Sequence, residues 1–401
     1  MRIVFWLSLI GVVYTYVGYP ASIWILARLR PRRWTAGLIY PSVSVVLAVH
    51  NGAAQLLSKI EHLLNSDYPN IKEVIVVSDG SSDGTAELLA SLYDPCLVTI
   101  ILEEHGGKAV AVNAGIIKAS AELILFVDLR QKIAPGAIQQ LVSNFADPNV
   151  GCVGGELILR EAGRDSASST VSGVYWRYEK WIRNCESVYA SPVGLSGCFY
   201  AIRRKLAEPL PAGIILDDMF QPLSVIRKGY RAVHDPCAQV FDELPEKIDV
   251  EFQRKVRTLA GNFQLFKLAP WTLTPRNPVF FQLVSHKVMR LIVPYLLILL
   301  LASTLVLARG SAAYAAFAAI QIAFWAMAIS ALQFRLPVLD RVASPVSSLL
   351  VLKAAAVAGL YRFLFTRGPL WKTWRLNGPT TISASDNSEK PVFTTARNEQ
   401  V

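Results

Sequence analysis

Three stretches of this chain carry no charged residue, are long enough to cross a membrane, and fence off everything else. They run from Ile3 to Ala27, from Leu291 to Ala308 and from Gly310 to Phe334. About 20 helical residues, each rising about 1.5 Å, cross about 30 Å of hydrocarbon. A fourth run, Ser347 to Phe365, is interrupted by Lys353 and Arg362. Composition agrees with a membrane protein: 53% of the 401 residues are hydrophobic and only 17% are charged. The formal charge of +10 therefore reads as basic membrane flanks and not as a nucleic-acid surface.

Arg28, Arg30, Arg32 and Arg33 follow the first run at once. A signal peptide places its positive charge before the apolar core; here the weight lies after it, as in an uncleaved anchor. The positive-inside rule then predicts an external N-terminus and a cytoplasmic segment from Arg28 onward. The five cysteines are scattered and never form a C-x-x-C pair, against both a disulfide framework and a zinc site. The expected organisation is an N-terminal transmembrane anchor at 1–30, a globular domain at 40–245 and amphipathic interfacial helices at 246–290. A C-terminal transmembrane region at 291–366, of two or three spans, and a polar tail at 367–401, disordered from Thr380, follow. Inside the interfacial part, Phe252, Val256, Leu259, Phe263 and Phe266 share one helical face.

The globular segment alternates short β-branched runs with helical patterns. Val43 to Val49, the run ending at Asp79, Val98 to Leu102 and the run ending at Asp128 are candidate strands. Helices are predicted over 53–65, 84–92 and 108–119. This alternation implies an α/β fold with a mainly parallel sheet. Asp79, Asp128 and Asp218 each sit at or just beyond the end of an apolar run. Open α/β sheets bind ligands beyond the carboxyl ends of their strands. Carboxylates there can hold a ribose, bind a divalent cation that carries a diphosphate, or take a proton from a hydroxyl. Asp83 is suited to capping the helix that starts near Gly84.

Several local motifs occur in a fixed order: Val43-Ser-Val-Val-Leu-Ala-Val-His50-Asn51, Ser78-Asp79-Gly80-Ser-Ser-Asp83-Gly84, and Gly106-Gly107-Lys108 leading to Asn113 and Gly115. Together they resemble the inverting family 2 glycosyltransferases, which have a nucleotide-binding α/β domain of glycosyltransferase A type and often carry membrane helices. The resemblance implies a nucleotide-sugar donor, most plausibly a UDP-sugar, contacted by His50, Asn51, Asp79, Gly80, Lys108 and Asn113. It implies Mg²⁺ or Mn²⁺ held by Asp128. Where the family has a second metal-binding aspartate, this chain reads Asp128-Leu129-Arg130, so Arg130 is assigned to phosphate charge. Asp217-Asp218 resembles the acidic pair whose second member is the general base, with Asp217 as helper. Gly197, Cys198 and Phe199 resemble the acceptor-lining segment.

Processive members carry Gln-x-x-Arg-Trp, whereas this chain reads Phe252-Gln253-Arg254-Lys255-Val256-Arg257-Thr258. Arg257 is the residue assigned to the acceptor there. The implied acceptor is a growing polysaccharide or a lipid-linked sugar, and the implied location is the inner (plasma) membrane, multi-pass, with membrane lipid as neighbour. Beyond the donor contact implied for His50, His50 and His234 are expected as structural or loop histidines, since neither has the sequence neighbours of a triad or a metal cluster. A rival reading is a nucleotide-binding membrane transporter or receptor without transferase activity. Its spans should carry charged residues that form a pathway, and the two best uncharged runs have none. A dinucleotide oxidoreductase is disfavoured because no Gly-x-Gly-x-x-Gly follows the first strand.

Overall fold

Apolar β-branched runs become buried strands because a parallel strand covered on both faces has no solvent side to mark with polar residues. The computed structural model describes residues 1–160, 170–243, 248–333, 340–366, 368–370 and 393–394. Its strands are β1 (Val43–Val49), β2 (Ile71–Asp79), β3 (Leu97–Leu102), β4 (Leu123–Val127), β5 (Lys132–Ile133), β6 (Val150–Arg160), β7 (Phe199–Arg203), β8 (Arg231–Glu243) and β9 (Phe393–Thr394). They form one nine-stranded sheet in the order β5-β8-β6-β7-β4-β1-β2-β3-β9. The sheet is mixed and mostly parallel. β1 pairs in parallel with β2 and β4, and β2 with β3. β7 runs antiparallel between β4 and β6, while β6 and β8 are again parallel.

The chain divides into two units. One comprises Trp34–Arg160, Gly194–Glu243 and Gly368–Val401, and contains the sheet; the other comprises Met1–Arg33, Glu161–Val193 and Leu244–Arg367. The single segment 40–245 expected from sequence is thus interrupted, because 161–193 groups with the helical unit. Within the polar tail, Arg367, residues 371–392 and those beyond Thr394 lie outside the described residues, and Phe393 and Thr394 form β9, paired with Leu102 and Ile101.

In the sheet unit, helices α3 (Ala53–Leu64), α4 (Thr85–Ser91), α5 (Lys108–Lys118), α6 (Ala137–Ser143) and α8 (Asp217–Arg227) flank the strands. The amphipathic α3 buries Leu56, Ile60 and Leu63 in the core cluster beside Val45, Leu47, Val74, Val76 and Leu125. The third aspartate-bearing run departs from the strand pattern. Gly213 turns with φ of 70°, and the following residues form a loop that leads straight into α8. Asp217 and Asp218 therefore occupy the first turn of a helix. Leu216 is the N-cap, so Asp217 does not cap α8.

The helical unit holds α1 (Arg2–Val13), α2 (Tyr19–Leu29), α7 (Thr170–Tyr189), α9 (Ile248–Leu268), α10 (Phe280–Gln282), α11 (Met289–Ala308), α12 (Ala312–Gln333) and α13 (Asp340–Phe365). Two π-helical turns, Tyr14–Gly18 and Leu283–Val288, make Arg2–Leu29 and Phe280–Ala308 continuous. Among the described residues, three helices are long and apolar enough to cross a membrane: Arg2–Leu29, Phe280–Ala308 and Ala312–Ser330. α13, the interrupted fourth run, buries the side chains of Lys353 and Arg362 within its unit. α9 does form, and its face around Val256 and Ala260 is buried. α13 packs on it where Gly359 meets Ala260.

Gly115 shows how tightly the sheet unit is packed. A Cβ there would lie 2.4 Å from Cγ1 of Val46, a buried, β-branched strand residue. Gly115→Ala should therefore destabilise the protein by about 1–3 kcal/mol, the usual scale of overpacking. Thermal melts of purified Gly115→Ala, Val46→Ala and the double variant should show that Val46→Ala costs less when Gly115 is already alanine. Strictly additive losses would remove this contact as the cause.

Candidate active site

Strand register decides which side chains meet. Val49 pairs with Ser78, and Asp79 with Leu102, so the residues just beyond β1, β2 and β3 converge. Asp79 is buried. Its Oδ1 accepts the Gly106 N–H at 2.8 Å and its Oδ2 the Gly107 N–H at 2.9 Å. It thereby closes the turn from which α5 begins. Gly80, with φ of 57°, passes so close to this turn that a Cβ would lie 2.3 Å from the His105 nitrogen. Only glycine meets both demands.

Two histidines contact the same aspartate, one at its backbone carbonyl and one at its carboxylate. His50 Nδ1–H donates to the Asp79 carbonyl at 2.7 Å, and His105 Nδ1 lies 2.8 Å from Asp79 Oδ2. The two rings stack with centroids 3.7 Å apart. His50 thus has the neighbours that sequence spacing denied it, because parallel pairing brings together residues far apart in the chain. Ligand atoms of His50, Asp79 and His105 all lie within 4.8 Å of one another. Two imidazoles and a carboxylate suit a transition ion better than Mg²⁺, but here both Nδ1 atoms are engaged with Asp79. His234 is a buried structural histidine whose Nε2 lies 2.8 Å from Glu156 Oε2.

Asn51 adopts a left-handed conformation with φ of 53°, which asparagine tolerates better than most residues. Its Oδ1 accepts the Ser82 N–H at 2.8 Å, and its own N–H donates to Ser81 Oγ at 3.1 Å. Asp83 sits just before the Gly84 cap and holds two helix starts. It accepts the Thr85 N–H at 3.2 Å and the Ala53 N–H at 3.1 Å. The Thr85 hydroxyl and these amides hold the Asp83 carboxyl below its usual range.

The second focus is Lys108, the first residue of α5. Its Nζ lies 3.1 Å from Asp128 Oδ1 and 3.5 Å from Asp217 Oδ2. Desolvation opposes its charge, but Asp128 and Asp217 outweigh it and hold the ammonium above the ordinary lysine value. Asp217 is buried and also accepts the Tyr200 hydroxyl at 3.3 Å. Burial, reinforced by Asp217, raises the Tyr200 phenol well above its usual value and keeps it a donor. Asp218 is less buried and lies against Gly197, where a Cβ would come within 3.0 Å of its Oδ2. Its carbonyl accepts the Leu195 N–H at 3.0 Å, which fixes the 194–197 loop beside the carboxylate. Both aspartates lie at the N-terminal end of α8, where the helix dipole favours negative charge.

Asp128, only partly exposed at 39% of its side chain, offers a hard oxygen donor of the kind Mg²⁺ and Mn²⁺ take. Lys108 already supplies positive charge to Asp128 and Asp217, which is the electrostatic role a divalent cation would share. Arg130 is committed elsewhere: it pairs with Asp242 Oδ2 at 2.8 Å, as does Gln131 Nε2 at 2.7 Å. Lys59 lies behind this loop, donating to the Gln131 carbonyl at 2.6 Å, and burial lowers its pKa to about 8.

Other sequence-assigned residues have their side chains engaged or placed elsewhere in their own units. Asn113 uses both ends of its amide on the Leu210 backbone, at 2.9 and 2.7 Å. Phe199 is fully buried in the core cluster. Cys198 is buried beside Ser196 Oγ at 3.3 Å, and burial pushes its thiol up to about 11. Arg257 is exposed on α9, in the helical unit. All five cysteines are free. Sequence reasoning passed over His105, Tyr200, Asp242 and Lys59. His105 adjoins the Gly106-Gly107 turn and Tyr200 directly follows the Gly197-Cys198-Phe199 segment, so position could have flagged both. Nothing local marks Asp242 or Lys59.

Comparison with known proteins gives a consistent picture. The family model described as Glycosyl transferase family 2 matches residues 44–210. A poly-beta-1,6-N-acetyl-D-glucosamine synthase of Staphylococcus aureus is 24% identical over 229 residues, covering 56% of this chain and 55% of that protein. An N-acetylglucosaminyltransferase of Rhizobium meliloti is 26% identical over 242 residues, covering 56% of each. The chain thus spans about half the length of the curated relatives it matches. A mannosyltransferase from Pyrobaculum calidifontis, solved with GDP-Man and Mn²⁺, superposes with a TM-score of 0.67 at 22% identity, covering 90% of this chain and 100% of that one. That likeness establishes a glycosyltransferase A-type fold. The likeness to glycosyl transferase family 2 thus rests on residues 44–210.

Proposed function

We propose that the chain is a membrane-anchored, inverting glycosyltransferase that moves a sugar from a nucleotide-sugar donor, a UDP-sugar, to a growing polysaccharide or a lipid-linked acceptor. The observation that carries this reading is Lys108 held between Asp128 and Asp217, with Asp218 against Gly197. A phosphate-neutralising cation and a candidate base are thereby brought to one place. The polysaccharide acceptor draws support from the names of the Staphylococcus and Rhizobium relatives. The catalytic unit faces the cytoplasm of a multi-pass protein of the plasma membrane, an orientation supported by the four arginines that follow the first span.

In this reading His50, Asn51, Asp79 and Gly80 form the floor on which the nucleoside rests. Lys108 turns from its carboxylate partners to the donor diphosphate, which carries more negative charge. Asp128 would hold Mg²⁺ or Mn²⁺, whose chemistry is to neutralise the leaving diphosphate. Asp218 accepts the proton of the acceptor hydroxyl as its oxygen attacks the anomeric carbon. The bond from that carbon to the diphosphate oxygen breaks on the opposite face, so configuration inverts and the nucleoside diphosphate departs. Asp217, fixed by Tyr200 and Lys108, orients the start of α8 and so the base. Gly197 leaves room for the acceptor beside Asp218. Arg130 acts by fixing the Asp128 loop through Asp242, and Arg257 is assigned to the acceptor. Incubating membranes with a panel of nucleotide sugars and detecting the released diphosphate tests the reading as a whole. Donor binding without any turnover would favour a nucleotide-binding transporter or receptor.

Asp218→Asn should retain donor binding and lose transfer by about a hundredfold or more, the usual scale for removing a general base. Near wild-type turnover would sink the assignment. Lys108→Met should raise the donor Kd by about 10- to 100-fold, the equivalent of one charge-assisted hydrogen bond. Calorimetric titration with nucleotide sugar reads this directly, and an unchanged Kd would remove Lys108 from the phosphate site. Transfer should also require Mg²⁺ or Mn²⁺, and Asp128→Ala should abolish the metal-dependent part of donor binding. Full activity in excess chelator would refute the metal and leave Lys108 as the sole neutralising charge.

A further inference from the structure

One cavity lies in the helical unit. Its volume is about 400 Å³, and it is lined by Trp24, Ala27, Arg28, Arg33, Asn184 and Val188, with Pro31 and Cys185 completing the wall. Sites for small ligands run from about 300 to 1,000 Å³. The walls come from the end of α2, the segment after it, and the C-terminal part of α7. A hydrogen bond from the Arg32 N–H to the Val188 carbonyl, 2.7 Å long, fastens that segment to α7. The cavity is therefore held open by backbone.

Its polar groups are unspent. Neither Arg28 nor Arg33 has a carboxylate partner among the described residues. Arg28 lies over the Trp24 ring at 4.9 Å, which orients the guanidinium without neutralising it. Asn184 Oδ1 is buried and has no hydrogen-bond partner. A buried acceptor left unpaired costs free energy that a donor from a ligand would recover. Two free guanidiniums call for an anion with several oxygens, and a phosphate matches their fork geometry. The orphan Asn184 oxygen calls for a hydroxyl beside it.

The rim decides what carries that phosphate. α2 is the end of a helix long and apolar enough to cross a membrane. Trp24, Ile25 and Leu29 are 40%, 45% and 73% exposed, so apolar surface stands uncovered next to the arginines. Tryptophan beside arginine is the usual composition of a membrane interface, and basic pockets between membrane helices take anionic head groups. A soluble anion would leave Trp24, Ile25 and Leu29 in water.

We propose that this cavity binds one anionic glycerophospholipid with a hydroxylated head group, of the phosphatidylglycerol type. Arg28 and Arg33 take the phosphodiester, Asn184 Oδ1 accepts a head-group hydroxyl, and Trp24 with Leu29 lies along the start of the acyl chains. The site is independent of the transferase reading, since none of its residues belongs to the catalytic unit.

The test is native mass spectrometry of the full chain released from nanodiscs of equimolar POPG and POPC. One retained POPG per chain should exceed retained POPC on the order of tenfold, the effect of two arginines near a membrane surface. The Arg28→Gln/Arg33→Gln variant should bring the ratio close to one, and Trp24→Ala should lower retention of both lipids. All three side chains are exposed, and an unchanged melting curve checks that the variants fold. Equal retention of the two lipids by the wild type would overturn the proposal, as would an unaltered preference in the double arginine variant. Excess glycerol phosphate should leave the lipid in place. Complete displacement by it would make the cavity a site for soluble anions and would also overturn the lipid assignment.

Discussion

Like charge is the constraint around which the catalytic unit is arranged. Asp128 and Asp217 come from distant parts of the chain, and two ionised carboxylates repel one another unless they share a cation. Lys108 supplies it, at 3.1 and 3.5 Å. Its own position is fixed one step earlier. Asp79, at the end of β2, accepts both amides of Gly106 and Gly107, and α5 starts on the next residue. The carboxylate proposed to contact the donor thus sets the origin of the helix that presents the lysine. If that proposal holds, a change at Asp79 disturbs donor contact and the lysine together, so single substitutions there cannot separate the two roles.

The parallel half of the sheet was legible in the sequence, and the other half was not. β1 and β4 are buried along nearly their whole length and β2 from Val74 onward, so their apolar runs, with that of the half-buried β3, stand out from the intervening helical patterns. β6 contains Gly151, Gly154 and Gly155, and β8 contains Asp235-Pro236. Neither reads as a strand locally. Their pairing is irregular, with register shifts between Val150 and Cys152 and between Gly154 and Glu156. Gly155 is required because a Cβ would come within 2.4 Å of the Ala238 carbonyl. These glycines mark a close strand approach and not a loop. Conversely, Ile214 to Leu216 resembled a strand end because its side chains are apolar, yet it is a buried loop.

The site was legible where its residues follow from local motif and opaque where they follow from register. Asp79, Lys108, Asp128, Asp217 and Asp218 stand out as charges next to apolar runs or glycine turns. The His50–His105 stack depends on the alignment of three strands, which no spacing along one chain reveals. Asn113 and Phe199 lie in recognisable motifs but spend their side chains on structure, one on the Leu210 backbone and the other on the core. A motif marks a segment as needed without saying which of its members faces the ligand.

Reading membrane helices as uncharged runs had a related cost. It placed the start of the second span at Leu291, whereas the helix continues back to Phe280 through His286 and Arg290. Those charges are hidden because α7 enters the helical unit with matching ones. His286 Nδ1 lies 2.7 Å from Glu186 Oε1 and its Nε2 3.0 Å from Glu179 Oε2. Arg290 pairs with Glu179, and the Tyr19 hydroxyl donates to Glu186. Ionised carboxylates only accept hydrogen bonds, so an imidazole between two of them needs a proton on each nitrogen or a proton on one carboxylate. Buried charges are tolerable when each finds a partner and costly when one is removed. The network therefore explains how a polar segment such as α7, which follows β6 in the chain, can leave the sheet unit and lodge among apolar helices. Hydrophobicity identifies which helices suit a membrane; charge pairing determines which segment joins them.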